Sequence, residues 1–370
     1  MKVAITHDYL IDYGGAERVL ESLHEIYPNA PIFVSVFNKK KLGKFSENFE
    51  KMDIRVSWFD YLPYASKLIS LLRFLLPLIW GGFDLSEFDL IIDSSSWAVT
   101  RGFKTRHEQI EICYCHTPPR YLYGYDTSRN WKNKWYGKLI DLYALIVNHF
   151  IRMYDYKTAQ KVDYFIANST NVASRIEKFY RRKATVIYPP VNVEEIINSK
   201  IPKIDKEYFL TGGRFVAAKN FDLIIKACKK SDVNLKIFGS GILEKELKEM
   251  ADSSVEFLGK ISDEELITYY KNALGFIAAQ TDEDFGITTV EAQAARIPVV
   301  AYKGGGYLET VIDGKTGVFF DELKVESLVS AIKKLNKLKI KGSDCIKNAK
   351  RFSKENFKKE IKEFIKKHQT

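Results

Sequence analysis

A chain of 370 residues is longer than one hydrophobic core usually serves, so two domains are expected. With 46% hydrophobic and 28% charged residues the composition is ordinary for a soluble globular protein, and no apolar run reaches the roughly 20 residues of a membrane-spanning helix. The net charge of +10 is regional, with 13 Lys and Arg against 5 Asp and Glu over 120–183, and 15 against 7 over 321–370. Such regions suit an anionic partner (phosphates, an acidic membrane surface, nucleic acid) or are solvated helix faces.

The first residues, MKVAITHDYL, read as a strand over 2–6 without an apolar leader, so no signal peptide is expected. A helix follows from Gly15, carrying Val19, Leu20 and Leu23. Further strands are expected at 31–37, 89–95, 110–116, 163–169 and 184–190. Residues 58–80 read as an almost wholly apolar helix with Lys67, Ser70 and Arg73 on a narrow stripe. Residues 127–138, TSRNWKNKWYGK, interleave basic and aromatic side chains. Trp and Tyr favour bilayer interfaces and Lys and Arg favour anionic headgroups, so these two stretches would suit peripheral membrane contact. The other reading of 58–80 is a buried core helix of the first domain. Pro189-Pro190 and the polar stretch to about Asp205 read as a linker.

The second half alternates regularly. Strands are expected at 208–214, 234–239, 255–259, 274–280 and 298–302, with helices at 220–230, from about 242, from a Ser262–Glu265 capping box, and through Glu291. Apolar strands alternating with helices mean parallel sheets covered on both faces, so both halves read as doubly wound α/β domains. The last segment places Phe357, Ile361, Phe364 and Ile365 on one helical face that must dock somewhere. The cysteines Cys113, Cys115, Cys228 and Cys345 have no metal-ligand spacing and read as reduced structural thiols of a cytoplasmic protein.

The run TDEDFGITTVEAQAARIPVV (281–300) carries the strongest chemical signal. Phe285-Gly286 turns a strand into a helix, leaving Glu283 in the loop and Glu291 about a turn into the helix. The free amides around Ile287 would face an anion such as a diphosphate, and carboxylates suit sugar hydroxyls. In TGGRFVAAKNF (211–221), Gly212-Gly213 allows close backbone approach, and Arg214 and Lys219 project cations from the same loop. Gly14-Gly15 stands at a strand-to-helix turn, where amides point at phosphate or sugar, and lacks the GxGxxG of a dinucleotide site. His116 ends a strand before Thr117-Pro118-Pro119.

The E-x-F-G-x-x-x-x-E-A pattern with the later PVVAYKGGGYLE resembles glycosyltransferase family 4, with the GT-B fold of two Rossmann-like domains facing across a cleft. Arg296 stands where that family commonly has glycine. The resemblance implies that Glu283 contacts the donor sugar and Glu291 the nucleotide ribose. It places Phe285, Gly286 and Ile287 in the donor site, and gives Arg214 and Lys219 the diphosphate. It sets the Gly14-Gly15 loop between donor and acceptor and His116 near the anomeric carbon. Gly239, Lys260 and Ile261 are assigned to the nucleotide.

CHTPPRYLY (115–123) together with DLIIDSSSWAVTRG (89–102) is similar to bacterial mannosyltransferases that build O-antigen and related polysaccharides. The family implies a retaining reaction with no agreed nucleophile; His7 and Asp8 at the end of the first strand are the residues an inverting enzyme could use as base. The expected domains are 1–190 on the acceptor side and 191–350 for the nucleotide sugar, with the helix 351–370 packing back on the first. No cofactor or metal is expected, although Asp282-Glu283-Asp284 also reads as the D-x-D cation motif of another transferase fold. Alternatives are a sugar-nucleotide epimerase or hydrolase and, from another class, a basic nucleic-acid-binding protein, for which no compact motif is present.

Overall fold

The computed structural model describes residues 1–125, 137–201 and 208–369. The strands are β1 (Val3–His7), β2 (Ile32–Val34), β3 (Ile54–Val56), β4 (Leu90–Ser95), β5 (Ile110–Cys115), β6 (Tyr164–Ala167), β7 (Ala184–Val186), β8 (Tyr208–Arg214), β9 (Asn234–Ser240), β10 (Val255–Gly259), β11 (Gly275–Ala278), β12 (Val299–Tyr302) and β13 (Gly317–Phe320). Five helices matter below: α1 (Gly15–Ile26), α2 (Gly137–Ala159), α3 (Phe221–Lys230), α4 (Ile287–Ala294) and α5 (Lys354–His368).

The chain divides into two compact units. One comprises Met1–Pro190 with Phe357–Thr370, the other Val191–Asn356. The first holds a seven-stranded sheet in the order β3-β2-β1-β4-β5-β6-β7, the second a six-stranded sheet in the order β10-β9-β8-β11-β12-β13. All pairings are parallel, as continuous apolar strands such as Leu90–Ile92 and Phe276–Ala278 require when helices cover both faces. Both units are doubly wound, Rossmann-like α/β domains. The apolar face of α5 buries Phe357, Ile361, Phe364 and Ile365 with Val3, Leu20, Ile112 and Tyr114 of the first unit.

Residues 58–80 do not form one helix. Pro63 supplies no amide, Tyr64 after it turns left-handed at φ 61°, and Pro77 opens a separate short helix at Leu76–Gly81. The stretch buries Phe59, Ile69, Ile79 and Trp80 but exposes Tyr61, Tyr64, Leu71 and Leu78, so only part of it belongs to the core of the first unit. The expected linker is also structured at its start. Val191 pairs with Ser353, and the helical turn Val193–Asn198 buries Val193 and Ile196. The remaining linker residues 202–207 and the basic-aromatic residues 127–136 lie outside the described residues. Cys113, Cys115, Cys228 and Cys345 are buried and unbridged. Among the described residues no helix is long and apolar enough to cross a membrane.

Candidate functional site

Open parallel sheets bind ligands at the carboxyl ends of their strands, where the strand order reverses. In the second unit that point lies between β8 and β11. The end of β8 carries Gly212, Gly213 and Arg214 and the loop after it Lys219, and the loop after β11 carries Glu283 and leads into α4. Topology alone therefore brings the two sequence motifs to one place.

Side chains then lock the loops together. Asn220 takes the left-handed conformation at φ 53° and donates from Nδ2 to the Ala279 carbonyl at 2.7 Å, tying the β8 loop to the end of β11. Lys219 Nζ meets Glu283 Oε2 at 2.9 Å, and the Tyr307 hydroxyl donates to the same oxygen at 3.2 Å. Burial and the Glu283 carboxylate push the Tyr307 phenol well above its usual range, so it stays a donor. Gly305 and Gly306 permit this packing. A β-carbon on Gly305 would stand 2.5 Å from the Glu283 carbonyl oxygen, while the Gly306 amide donates to that oxygen at 2.9 Å. Gly286 at φ 94° starts α4, and a β-carbon there would press on the Tyr307 ring.

The other residues fall in distinct positions. Ile287 opens α4, and Thr288 of its first turn lines a recess together with Gly212, Lys219 and Tyr307. Glu291 is buried on α4 and accepts from the Tyr270 hydroxyl at 3.1 Å. Phe285 is buried with its ring 5.3 Å from that of Phe352, so its side chain serves the core. Arg214 is exposed at the end of β8. Gly239 sits opposite Gly213 in the β8–β9 pairing. Lys260 is exposed and Ile261 half-buried just before the Ser262 cap, where the capping box forms as expected. Arg296 adopts φ 69°, the left-handed position after α4 that glycine would take without strain.

In the first unit the order reverses between β1 and β4. His7 Nδ1 lies 3.0 Å from Ser94 Oγ, which lies 2.9 Å from His116 Nε2. Burial and the neighbouring His7 hold the His116 imidazole well below its usual pKa, so it is neutral at physiological pH. The His7 Nε2 atom faces Glu17 Oε1 at 3.5 Å, and Glu17 Oε2 accepts the Gly14 amide at 2.8 Å, which fixes the Gly14-Gly15 turn at the start of α1. Asp8 is occupied by the loop after β4. It accepts from the Ser96 amide at 3.1 Å, the Ser96 hydroxyl at 2.6 Å, the Trp97 amide and the Thr100 hydroxyl. A carboxylate so committed is a poor candidate for a free base.

Sequence reasoning did not single out Tyr307, Tyr270, Asn220 or Ser94. Tyr307 lies inside the GGGYLE run, which was the available signal; the roles of Tyr270 and Ser94 depend on neighbours far away in the chain.

Two family models match the chain: Glycosyltransferase Family 4 over residues 13–195 and Glycosyl transferases group 1 over residues 192–352. An uncharacterized glycosyltransferase of Methanocaldococcus jannaschii is 30% identical over 218 residues, 57% of this chain. That match spans 61% of the archaeal protein, less than two thirds of its length. The alpha-1,3/1,6-mannosyltransferase of Dictyostelium discoideum is 26% identical over 377 residues, covering 86% of this chain and 85% of that one. The structure of Anabaena HepE in complex with UDP and glucose matches with a TM-score of 0.70 at 18% identity, over 99% of both chains. The shared architecture is GT-B.

Proposed function

The chain belongs to glycosyltransferase family 4, and from that membership we propose that it transfers a hexose with retention, without a metal ion, from a nucleotide diphosphate donor. Mannose from GDP-mannose is the leading donor, and the similarity to a mannosyltransferase supports it. The acceptor is a saccharide or lipid-linked saccharide of cell-surface polysaccharide synthesis, met by the first unit, with peripheral contact at the inner face of the cytoplasmic membrane.

The observation that carries this reading is the Lys219–Glu283–Tyr307 cluster at the switch point of the second unit. A cation, a carboxylate and a phenol converge beside the amide-rich start of α4. Lys219 and Arg214 stabilise the charge on the departing diphosphate, the task a divalent cation performs elsewhere. Glu283 receives the sugar hydroxyls, Glu291 the ribose, and neutral His116 donates or accepts one hydrogen bond at the transferred sugar. Phe285, Gly286 and Ile287 contribute backbone. Gly14 and Gly15 present α1 amides toward substrate, and Gly239, Lys260 and Ile261 flank the nucleotide.

A thermal-shift screen over GDP- and UDP-sugars tests the proposal, because a ligand at 100 times its dissociation constant adds about 2.7 kcal/mol of stability. GDP-mannose should give the largest shift. A larger shift with a UDP-sugar would reassign the donor, and no shift with any of them would refute the function.

A further inference from the structure

Helix α2 is apolar on two opposite faces. Its inward face buries Ile151 and Ala159, but Leu139, Leu142, Leu145, Ile146, Phe150 and Met153 are 52–72% exposed. Steps of three and four residues put these six on one outward side, running about 20 Å along the helix at 1.5 Å per residue. A helix docked through one face ordinarily turns polar side chains to water on the other. This one exposes the six apolar side chains together with Lys138, His149, Arg152 and Lys157.

A second exposed apolar stretch adjoins it. Arg73 Nε donates to Asn148 Oδ1 of α2 at 2.9 Å, its guanidinium lies 4.9 Å from the Tyr143 ring centroid, and the Tyr143 hydroxyl donates to the Leu71 carbonyl. Leu71 and Phe74 are thereby placed beside the α2 stripe, with Tyr61, Tyr64 and Leu78 exposed on the same segment. The result is two neighbouring stretches of exposed apolar side chains, more than single scattered surface residues.

Charge selects its occupant. Of the acids on these two elements, Asp155 is buried against Arg101, and Asp60 is half-buried and accepts the Phe37 amide. Asp141 is exposed, against exposed Lys67, Lys138, Arg152 and Lys157. A second copy of this chain docked face to face would set these cations against themselves. An anionic headgroup layer meets both the cations and the apolar stripe. Aromatic contacts also lead inward. Arg73 lies over the Tyr121 ring, Tyr121 is 5.5 Å from Trp97, and the Trp97 amide is held by Asp8 at the end of β1.

We infer that α2 and residues 58–81 together form a bilayer-docking face, with α2 lying in the headgroup plane of an anionic membrane. The inference deepens the lipid-linked reading of the acceptor and rests on it for its purpose, but not for its test. The full chain is floated with vesicles of phosphatidylcholine alone or mixed with phosphatidylglycerol, at low and high salt, without any sugar. It should float with the anionic vesicles and be partly released by salt. Leu142→Gln/Leu145→Gln/Ile146→Gln should lower vesicle partitioning by about tenfold or more, because the apolar insertion is lost. Lys138→Glu/Lys157→Glu should abolish the preference for phosphatidylglycerol. Both variants should keep the parent melting temperature and donor thermal shift, since the altered side chains face solvent. Wild-type protein that stays in the aqueous layer would overturn the inference. So would a dimer in sedimentation that the triple variant dissociates, which would make the face a subunit contact. Vesicle binding without any donor shift would instead refute the proposed function and leave the docking face standing.

Discussion

The pairing of Lys219 with Glu283 makes an opposite-sign prediction for one substitution. At 2.9 Å, with both side chains largely buried, Lys219 is engaged by Glu283 before any phosphate arrives. A nucleoside diphosphate must share that lysine. Glu283→Gln removes the competing charge while Gln can still accept from Tyr307, so affinity for GDP should hold or rise slightly. Affinity for GDP-mannose should fall, because a charge-assisted hydrogen bond to the sugar is worth about 1.5–3 kcal/mol, or roughly 10- to 150-fold. Glu291→Gln should weaken GDP and GDP-mannose alike, since its proposed partner is the ribose common to both. Its hydrogen bond from Tyr270 can persist to the remaining carbonyl oxygen, so the fold should tolerate the change. Calorimetric titration of the two variants with both ligands reads all four affinities. Equal losses for nucleotide and nucleotide sugar in Glu283→Gln would show that the carboxylate does not face the sugar.

Arg214→Ala should lower kcat/KM by two orders of magnitude or more, since it removes charge stabilisation of the leaving diphosphate, while melting unchanged because the side chain is exposed; near-normal turnover would remove Arg214 from the site. Transfer should persist in EDTA, and loss on chelation with recovery on adding Mn²⁺ would hand Asp282 and Asp284 the diphosphate instead. Stability should depend on pH through Glu111, which burial pushes up to about 7 from 4.5. The folded state holds the proton more tightly, so this contribution is complete below about pH 4.5 and is lost as the pH rises through about 7. Glu111→Gln should therefore flatten the melting-temperature profile and melt higher than the parent at pH 8. Parallel profiles would refute the assignment. Asp93, buried nearby and raised in the same direction, should leave some residual slope.

Local chemistry was the part of the molecule most legible in the sequence. The β8 strand through Gly212-Gly213 to Arg214 and the Ser262–Glu265 capping box are written in contiguous residues, and both form as read. The short edge strands β3 and β13 escaped, because three or four residues at a sheet margin carry too little pattern to separate them from loop. The apolar run over 58–80 misled for a related reason. Hydrophobicity reports burial or interface, not continuity, and Pro63 and Pro77 decided where the backbone broke. Within the site, Lys219 and Glu283 were visible as motif residues, but that they touch each other, and that Tyr307 touches Glu283, follows from strands joined across the switch point. Likewise His116 could be singled out, whereas its link through Ser94 to His7 required the β1-β4-β5 order.

The return of α5 to the first unit bears on how the protein is made. Ile361, Phe364 and Ile365 complete a core whose other members, such as Val3, Leu20 and Ile112, leave the ribosome long before them. At about 5–20 residues per second, the 175 residues between Pro190 and Ile365 take roughly 10–35 s to synthesise. Throughout that interval the N-terminal unit has an open apolar groove where the terminal helix belongs, and the second unit, uninterrupted from Val191 to Asn356, can close first. Maturation thus runs against the order of translation, and the nascent N-terminal half is the species that a chaperone would have reason to hold.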